Sequence, residues 1–308
     1  MGLKLGATLF CYGTEYVRGQ YDFEECVKQA ALAGAEGYEI VATQMIPSYP
    51  NVSDEFLGMV EELKVKYGIG PVTYAANNDR GMRCDRDLTD DEMLADAIID
   101  LRAANKLGCK TMRVQYMMSP EAFGRLAPYA ELFDVKCGIE IHNPETPLSD
   151  NMKKYLDVIK ATGSAYLGFV PDMGCMAVAP NKPKWDRALS MGVKEEHLEM
   201  AKRMRLDGVS QDEAVQKLFA AGATPAIMDT VAGMWGFVQF RPESALPGLF
   251  DELKEILPYS FEIHGKFHYL SEDCVEASIP YDKIFAFLKE NDYDGYVISE
   301  YEDEAYCG

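Results

Sequence analysis

The sequence predicts an α/β fold, a (β/α)8 TIM barrel formed as one domain over residues 1–308. Two patterns carry that reading. Short apolar runs recur eight times, separated by stretches of helical periodicity, as expected when each parallel strand is followed by a covering helix. Helix start signals also stand where the alternation needs them.

The first four runs are Leu3–Phe10, Gly37–Val41, Gly70–Ala76 and Thr111–Tyr116. Ahead of the fourth, Thr89-Asp90-Asp91-Glu92 has the order of a capping box and opens a helix that stops at Gly108. Ser119-Pro120 offers a cap followed by proline at the first helical position. The remaining runs are Cys137–Asn143, Tyr166–Asp172, Tyr259–Phe267 and Gly295–Glu302. Between the sixth and seventh, Met173–Pro258 is too long for one helix. It holds helical patterns over Gly192–Leu206, Ser210–Gly222 and Ala245–Leu257, with a second capping-box order at Ser210-Gln211-Asp212-Glu213. An insertion after a strand lies at the C-terminal mouth of a barrel, so residues 173–258 are expected to form a lid over it. After the eighth run the closing helix is missing. A truncated chain or a partner covering that edge would account for it.

Composition narrows the function. With 30 basic and 50 acidic side chains the net charge is −20, which argues against a nucleic-acid partner. An apolar content of 48% is enough for a packed core. No run approaches the ~20 apolar residues of a membrane span, and the N-terminus lacks a signal-peptide pattern. The eight cysteines contain no CxxC spacing and read as small core residues in a reducing compartment. A cytoplasmic protein is expected.

Strand alternation selects the chemistry, because residues i and i+2 share a face. Glu140 and His142 point away from Ile139 and Ile141, into the barrel mouth. Glu262 and His264 repeat the design, as do Glu300 and Glu302, and Asp172 ends the sixth run. Glu140, Asp172, His264 and Glu300 thus come from four consecutive strands. Charges aimed into a barrel are expensive unless paired or bound to a cation. The acidic excess leaves few inward lysines or arginines, so the four are expected to hold one divalent metal. Three carboxylates and one imidazole suit Mn²⁺ best, with Mg²⁺, Fe²⁺, Co²⁺ or Zn²⁺ as alternatives. Internal salt bridges are the bland alternative.

His142 lies one strand repeat beyond Glu140. It is read as a general acid/base, against the alternatives of a fifth ligand or a residue that fixes Glu140. Lys266 and His268 follow His264 in GKFHYL and are placed in the loop above it. Lys266 is a candidate for steadying substrate oxyanions, with Glu302 a second substrate-binding candidate; a solvated lysine is the plain alternative. His197, in KEEHLEMAKR, reads as a surface residue. Met117, Met118, Met173, Met176, Met234, Trp235 and Phe237 form either ordinary packing or an apolar rim suited to a flat aromatic group.

The segments GAEGYEIV, GIEIHNP, PDMG, IHGKFH and ISEYE resemble the xylose isomerase-like sugar isomerase/epimerase barrels over nearly the whole chain. The resemblance implies a divalent metal on Glu140, Asp172, His264 and Glu300. Cys175 departs from the pattern, since sugar epimerases of this group usually carry histidine three residues after the aspartate. EIHNP, the long insertion and ISEYE narrow the likeness to the C-glycoside deglycosidase alpha subunits. That resemblance implies a metal-dependent lyase working with a small β-rich beta subunit. Its substrate would be a 3-oxo-C-glycoside of the C-glycosyl flavonoid type, split into aglycone and an unsaturated keto sugar, with His142 as acid/base. The alternative is a keto-sugar epimerase or isomerase using Glu140 and Glu300. An apurinic-endonuclease role would need more than four histidines, and a scaffold subunit would need no metal.

Overall fold

The structure is a computed structural model that describes residues 2–302. All eight expected strands form: β1 Lys4–Thr8, β2 Tyr38–Val41, β3 Pro71–Ala76, β4 Thr111–Val114, β5 Lys136–Ile141, β6 Leu167–Pro171, β7 Glu262–Phe267 and β8 Tyr296–Tyr301. They pair in parallel in the order β6-β5-β4-β3-β2-β1-β8-β7. The barrel closes between β6 and β7 through two isolated parallel bridges, Phe169 with Ser260 and Asp172 with His264. Backbones approach closely at that seam. A Cβ on Gly168 would lie 2.1 Å from the Tyr259 carbonyl oxygen, so only glycine fits there.

Apart from short helical turns at Gly13–Val17 and Ala42–Met45, the helices up to β6 are α1 Phe23–Leu32, α2 Asp54–Tyr67, α3 Asp90–Leu107, α4 Pro120–Gly124, α5 Ala127–Phe133 and α6 Asp150–Thr162. The segment between β6 and β7 adds α7 Lys182–Ser190, α8 Glu195–Leu206, α9 Gln211–Ala220, α10 Met228–Trp235 and α11 Leu246–Ile256; α12 Tyr281–Glu290 precedes β8. The capping box at Thr89 is reciprocal, with Thr89 accepting from the Glu92 amide and Glu92 accepting from the Thr89 amide. Ser210 forms only the first half of its box. The helix expected from Gly192 begins at Glu195, and the one begun by Ser119-Pro120 runs a single turn before α5 takes over. His197 is a correction: it is 5% exposed, and its ring Nε2 lies 3.2 Å from the Ala221 carbonyl oxygen. It shares the inner face of α8 with Leu198, Ala201 and Met204, a spacing that outranks its acidic neighbours.

The apolar core lies outside the strands. Tyr38, Ile40, Tyr74, Met112, Ile139, Ile141, Phe169 and Ile263 face the helices and are fully buried. The barrel interior is polar instead, with Thr8, Glu39, Thr73, Arg113, Glu140, Asp172, Glu262, His264, Lys266 and Glu300 all buried. Among the described residues no helix covers the outer face of β8. An apolar groove of about 540 Å³ lies there, lined by Leu5, Phe267, Phe285, Val297 and Tyr301 among others. Among the described residues no helix is long and apolar enough to cross a membrane.

One buried carboxyl outside the barrel makes stability depend on pH. Asp100 on α3 accepts a hydrogen bond from the Tyr74 hydroxyl at 2.8 Å, and burial pushes its carboxyl up to about 6. A carboxyl whose folded pKa exceeds its unfolded one favours folding while protonated. Its contribution is therefore present at low pH and declines as pH rises from about 4 through 6. Asp100→Asn stays neutral throughout. Its unfolding free energy relative to wild type is expected to rise by about 2–3 kcal/mol between pH 4 and pH 7, read by urea denaturation at both.

Candidate functional site

The polar interior is organised around His264. Alternation along β7 turns His264 inward, and its ring is completely buried. Nδ1 lies 3.1 Å from Glu140 Oε1 and 3.3 Å from Glu300 Oε2. On the other side of the ring, Nε2 lies 3.1 Å from Glu39 Oε2 and 3.9 Å from Glu262 Oε1. The Thr8 hydroxyl donates to Glu39 Oε1 at 2.7 Å, and the Thr73 hydroxyl donates to Glu262.

Above this layer sits Lys266. Its Nζ reaches Asp172 Oδ2 at 3.2 Å, Glu300 Oε2 at 3.1 Å and Glu302 Oε2 at 2.5 Å. It belongs to β7, which corrects its expected place in a loop, and at 3% exposure it is not the solvated lysine of the plain alternative. Arg113 on β4 also points inward, with Nη1 3.5 Å from Glu140 Oε2. The acidic excess therefore did not empty the interior of cations. Two were built in, and internal salt bridges do exist around the four carboxylate and imidazole groups.

These neighbours set the charges. Burial alone would raise the Glu140 carboxyl, but Arg113 and His264 outweigh it and hold it low. Burial would likewise raise Glu300, and Lys266 with His264 pull it well below the usual range. Burial would lower His264, yet Glu39 and Glu300 keep it protonated far above the ordinary imidazole range. At Asp172 burial prevails over Lys266 and His142, and the carboxyl is raised. Burial and the adjacent Glu39 raise Glu262 as well. The interior thus has more buried acid than its cations fully neutralise.

His142 follows β5 immediately and keeps 21% of its side chain exposed. Its Nδ1 lies 2.7 Å from the Asn143 carbonyl oxygen. A carbonyl only accepts, so Nδ1 carries the proton there and Nε2 is the basic nitrogen of the neutral ring. Nε2 faces Asp172 Oδ2 at 3.8 Å. Phe237, from the connection between α10 and α11, meets the His142 ring edge-on with centroids 5.9 Å apart. That connection is pinned. The Asn143 side-chain amide donates to the Gln239 carbonyl at 3.1 Å, and the Arg241 guanidinium donates to the Cys175 and Pro144 carbonyls at 3.1 and 2.9 Å. His268 packs beside the site with Nδ1 2.6 Å from the Glu302 carbonyl oxygen. Asp303 and Glu304, which follow Glu302 in the sequence, lie outside the described residues.

A divalent cation fits the donor set. Glu140, His264 and Glu300 each offer one atom within 4.8 Å of the others. Beyond their ion pairs with Lys266, Asp172 Oδ2 and Glu300 Oε2 are buried and accept no well-formed hydrogen bond, which leaves lone pairs available. Asp172 stands beside the trio, separated from Glu300 by the Lys266 ammonium. Sequence reasoning did not single out Glu39 or Arg113 as site residues. The signal was present in YEIV and TMRV, where one charged residue interrupts an apolar strand.

Comparison with known proteins places the chain. It is 30% identical over 311 residues to the C-glycoside deglycosidase alpha subunit of Arthrobacter globiformis, spanning 99% of this chain and 86% of that protein. The chain belongs to the C-glycoside deglycosidase alpha subunit family. A second relative, the 3'-dehydrocarminate deglycosidase alpha subunit of a Microbacterium species, is 29% identical over 97% of this chain and 88% of its own length. No protein-family model matches the sequence. Among solved structures, a xylose isomerase-like TIM barrel protein from Mycobacterium smegmatis in complex with magnesium is 13% identical, with a TM-score of 0.55 over 97% of this chain and 90% of that one. At that identity the likeness is one of fold. The deglycosidase alpha subunits thus include a chain whose barrel interior gathers a buried Glu/His cluster able to hold a divalent metal.

Proposed function

We propose that the protein is the alpha subunit of a divalent-metal-dependent carbon–carbon lyase that cleaves 3-oxo-C-glycosides, including those of flavonoid type, into aglycone and an unsaturated keto sugar. One observation carries the reading. In a chain of this family, a buried Glu140–His264–Glu300 cluster lies near a partly exposed histidine whose Nε2 is basic and turned toward Asp172.

A cation held by Glu140, Asp172, His264 and Glu300, with Mn²⁺ favoured by the oxygen-rich set, would supply Lewis-acid polarisation of the 3-oxo group. The protein's own residues do the rest. Carbon 2 of the sugar, next to the ketone, gives its proton to Nε2 of His142. The electron pair left there forms the double bond to carbon 1 as the bond from carbon 1 to the aryl carbon breaks. That bonding pair goes to the aryl carbon, which takes up one proton, and no electrons are gained or lost overall. Glu302, which retains about two-fifths of its side-chain exposure, binds sugar oxygens at the mouth, and Lys266 would join it where its pairing with Asp172 and Glu300 is relieved by a bound cation. Residues 173–258 act as the lid. The relatives' names, each an alpha subunit, support a partner subunit, and the partner in this reading is a small, β-rich beta subunit joined in a hetero-oligomer.

The test is direct. The chain is co-produced with its partner subunit, stripped of metal, reloaded with Mn²⁺ and incubated with a 3-oxo-C-glucoside of a flavone. Aglycone release that requires both metal and partner supports the proposal. Intact substrate with epimerised or isomerised free keto sugars would replace it with the isomerase reading.

Phe237 gives a separate check on the aglycone side. It is 67% exposed yet stands on a pinned connection beside His142, the arrangement of a preformed aromatic contact. An aromatic pair is worth about 0.5–1.5 kcal/mol beyond area burial. Phe237→Ala is expected to raise KM for an aryl 3-oxo-C-glycoside by about 3- to 10-fold, with the thermal midpoint nearly unchanged. Steady-state kinetics and a melting curve read both.

A further inference from the structure

We infer that Glu39, braced by Thr8, is a positioning residue that holds His264 with Nε2–H turned away from the metal site and Nδ1 free for the cation. The inference rests on the metal reading above and adds a residue outside the Glu140, Asp172, His264 and Glu300 set. Glu39 is too deep to touch substrate: it is 1% exposed, on β2, behind the His264 ring. An imidazole that ligates through one nitrogen needs a fixed partner on the other, and a carboxylate is the strongest acceptor available for it. Glu39 Oε2 stands 3.1 Å from Nε2, on the far side of the ring from Glu140 and Glu300.

The carboxylate is itself constrained. Thr8 donates to Oε1 at 2.7 Å, which leaves Oε2 for the histidine and fixes the plane of the group. Without that brace, rotation about the terminal Glu39 torsion would let the ring turn and point Nε2–H elsewhere. Glu262 offers no substitute, because its nearer oxygen is 3.9 Å from Nε2 and its other oxygen accepts from Thr73. Glu39, Glu262 and His264 could also be taken as three ligands of a second ion. Both ring nitrogens lie 3.1 Å from a carboxylate, so the surroundings tell the two sides apart. Glu39 and Glu262 are each 1% exposed and already accept from a threonine, whereas Glu300 on the Nδ1 side neighbours Lys266 and, through it, the partly exposed Glu302. The side nearer the mouth suits the ion, and Glu39 is left the positioning role.

The experiment uses the full chain with Mn²⁺ as the probe. Electron paramagnetic resonance of free Mn²⁺ gives affinity and stoichiometry, and Glu300→Gln serves as a ligand control. Wild type is expected to bind one ion per chain. Glu39→Ala should weaken binding by about 10- to 100-fold, Thr8→Val by severalfold, and Glu39→Gln should recover most of the loss because its amide oxygen can still accept. In the Mg²⁺-loaded protein, long-range ¹H–¹⁵N correlations of ¹⁵N-histidine should show His264 as the Nε2–H form in wild type. In Glu39→Ala that pattern should be lost, while His142, His197 and His268 keep theirs. A general loss of structure would disturb all four. Wild-type affinity in both Glu39→Ala and Thr8→Val, or two ions per chain with one lost on removing Glu39, overturns the positioning role alone. Absence of Mn²⁺ binding in wild type overturns the metal reading and the inference with it.

Discussion

Replacing His142 by asparagine is expected to lower kcat for aglycone release by about 10²- to 10⁴-fold, the usual scale for losing a positioned general base. Metal affinity should stay within about threefold of wild type, well short of the ~10–100-fold loss expected when a group that supports the metal is removed. The ring is held by its Nδ1–H on the Asn143 carbonyl, so Nε2 is presented to the site in a set direction. Asparagine keeps roughly the size and polarity of the position and loses only the proton-accepting nitrogen. Stopped assays of the Mn²⁺-loaded complex, alongside the metal titration, read the two quantities. A parallel fall in metal affinity would make His142 a ligand. An unchanged kcat would move the proton to another group.

The second large effect concerns stability. Lys266→Met should destabilise the metal-free protein by about 3–5 kcal/mol, because it leaves Asp172, Glu300 and Glu302 facing one another with their shared cation removed. Methionine fills most of the volume, so packing contributes little to the loss. Burial of Lys266 means that solvent screening does not soften the effect. Saturating Mn²⁺ should recover much of it by supplying positive charge to the same carboxylates. Urea denaturation of wild type and variant, each with chelator and with Mn²⁺, gives four midpoints. A loss of the same size in both conditions would separate Lys266 from the cation site.

The alternation of apolar runs and capped helices was legible because each element declares itself locally. Thr89–Glu92 fixes the start of α3, and the period-2 pattern fixes each strand. Pairs of polar residues at i and i+2 exposed Glu140 with His142, Glu262 with His264 and Glu300 with Glu302. Glu39 and Arg113 escaped because each is a lone charge in a short apolar strand. Such a residue acquires meaning only when the barrel brings β2 and β4 against β7 and β5. Lys266 was misplaced for a related reason. A lysine is ordinarily at the surface, and only three carboxylates arriving from β6 and β8 make its burial tolerable. Local spacing reports which face a side chain takes; it does not report what the opposite wall offers.

The join between β6 and β7 has a mechanical consequence. Every other neighbouring pair of strands shares a ladder, whereas this one is stitched at two points, one of them Asp172 opposite His264. The proposed ligands therefore straddle the weakest staves of the barrel. An ion gripped from both sides would act there as a rivet, so that loading the centre also locks the cylinder. Loss of the ion would let the molecule breathe first along that line, where residues 173–258 leave and rejoin the barrel.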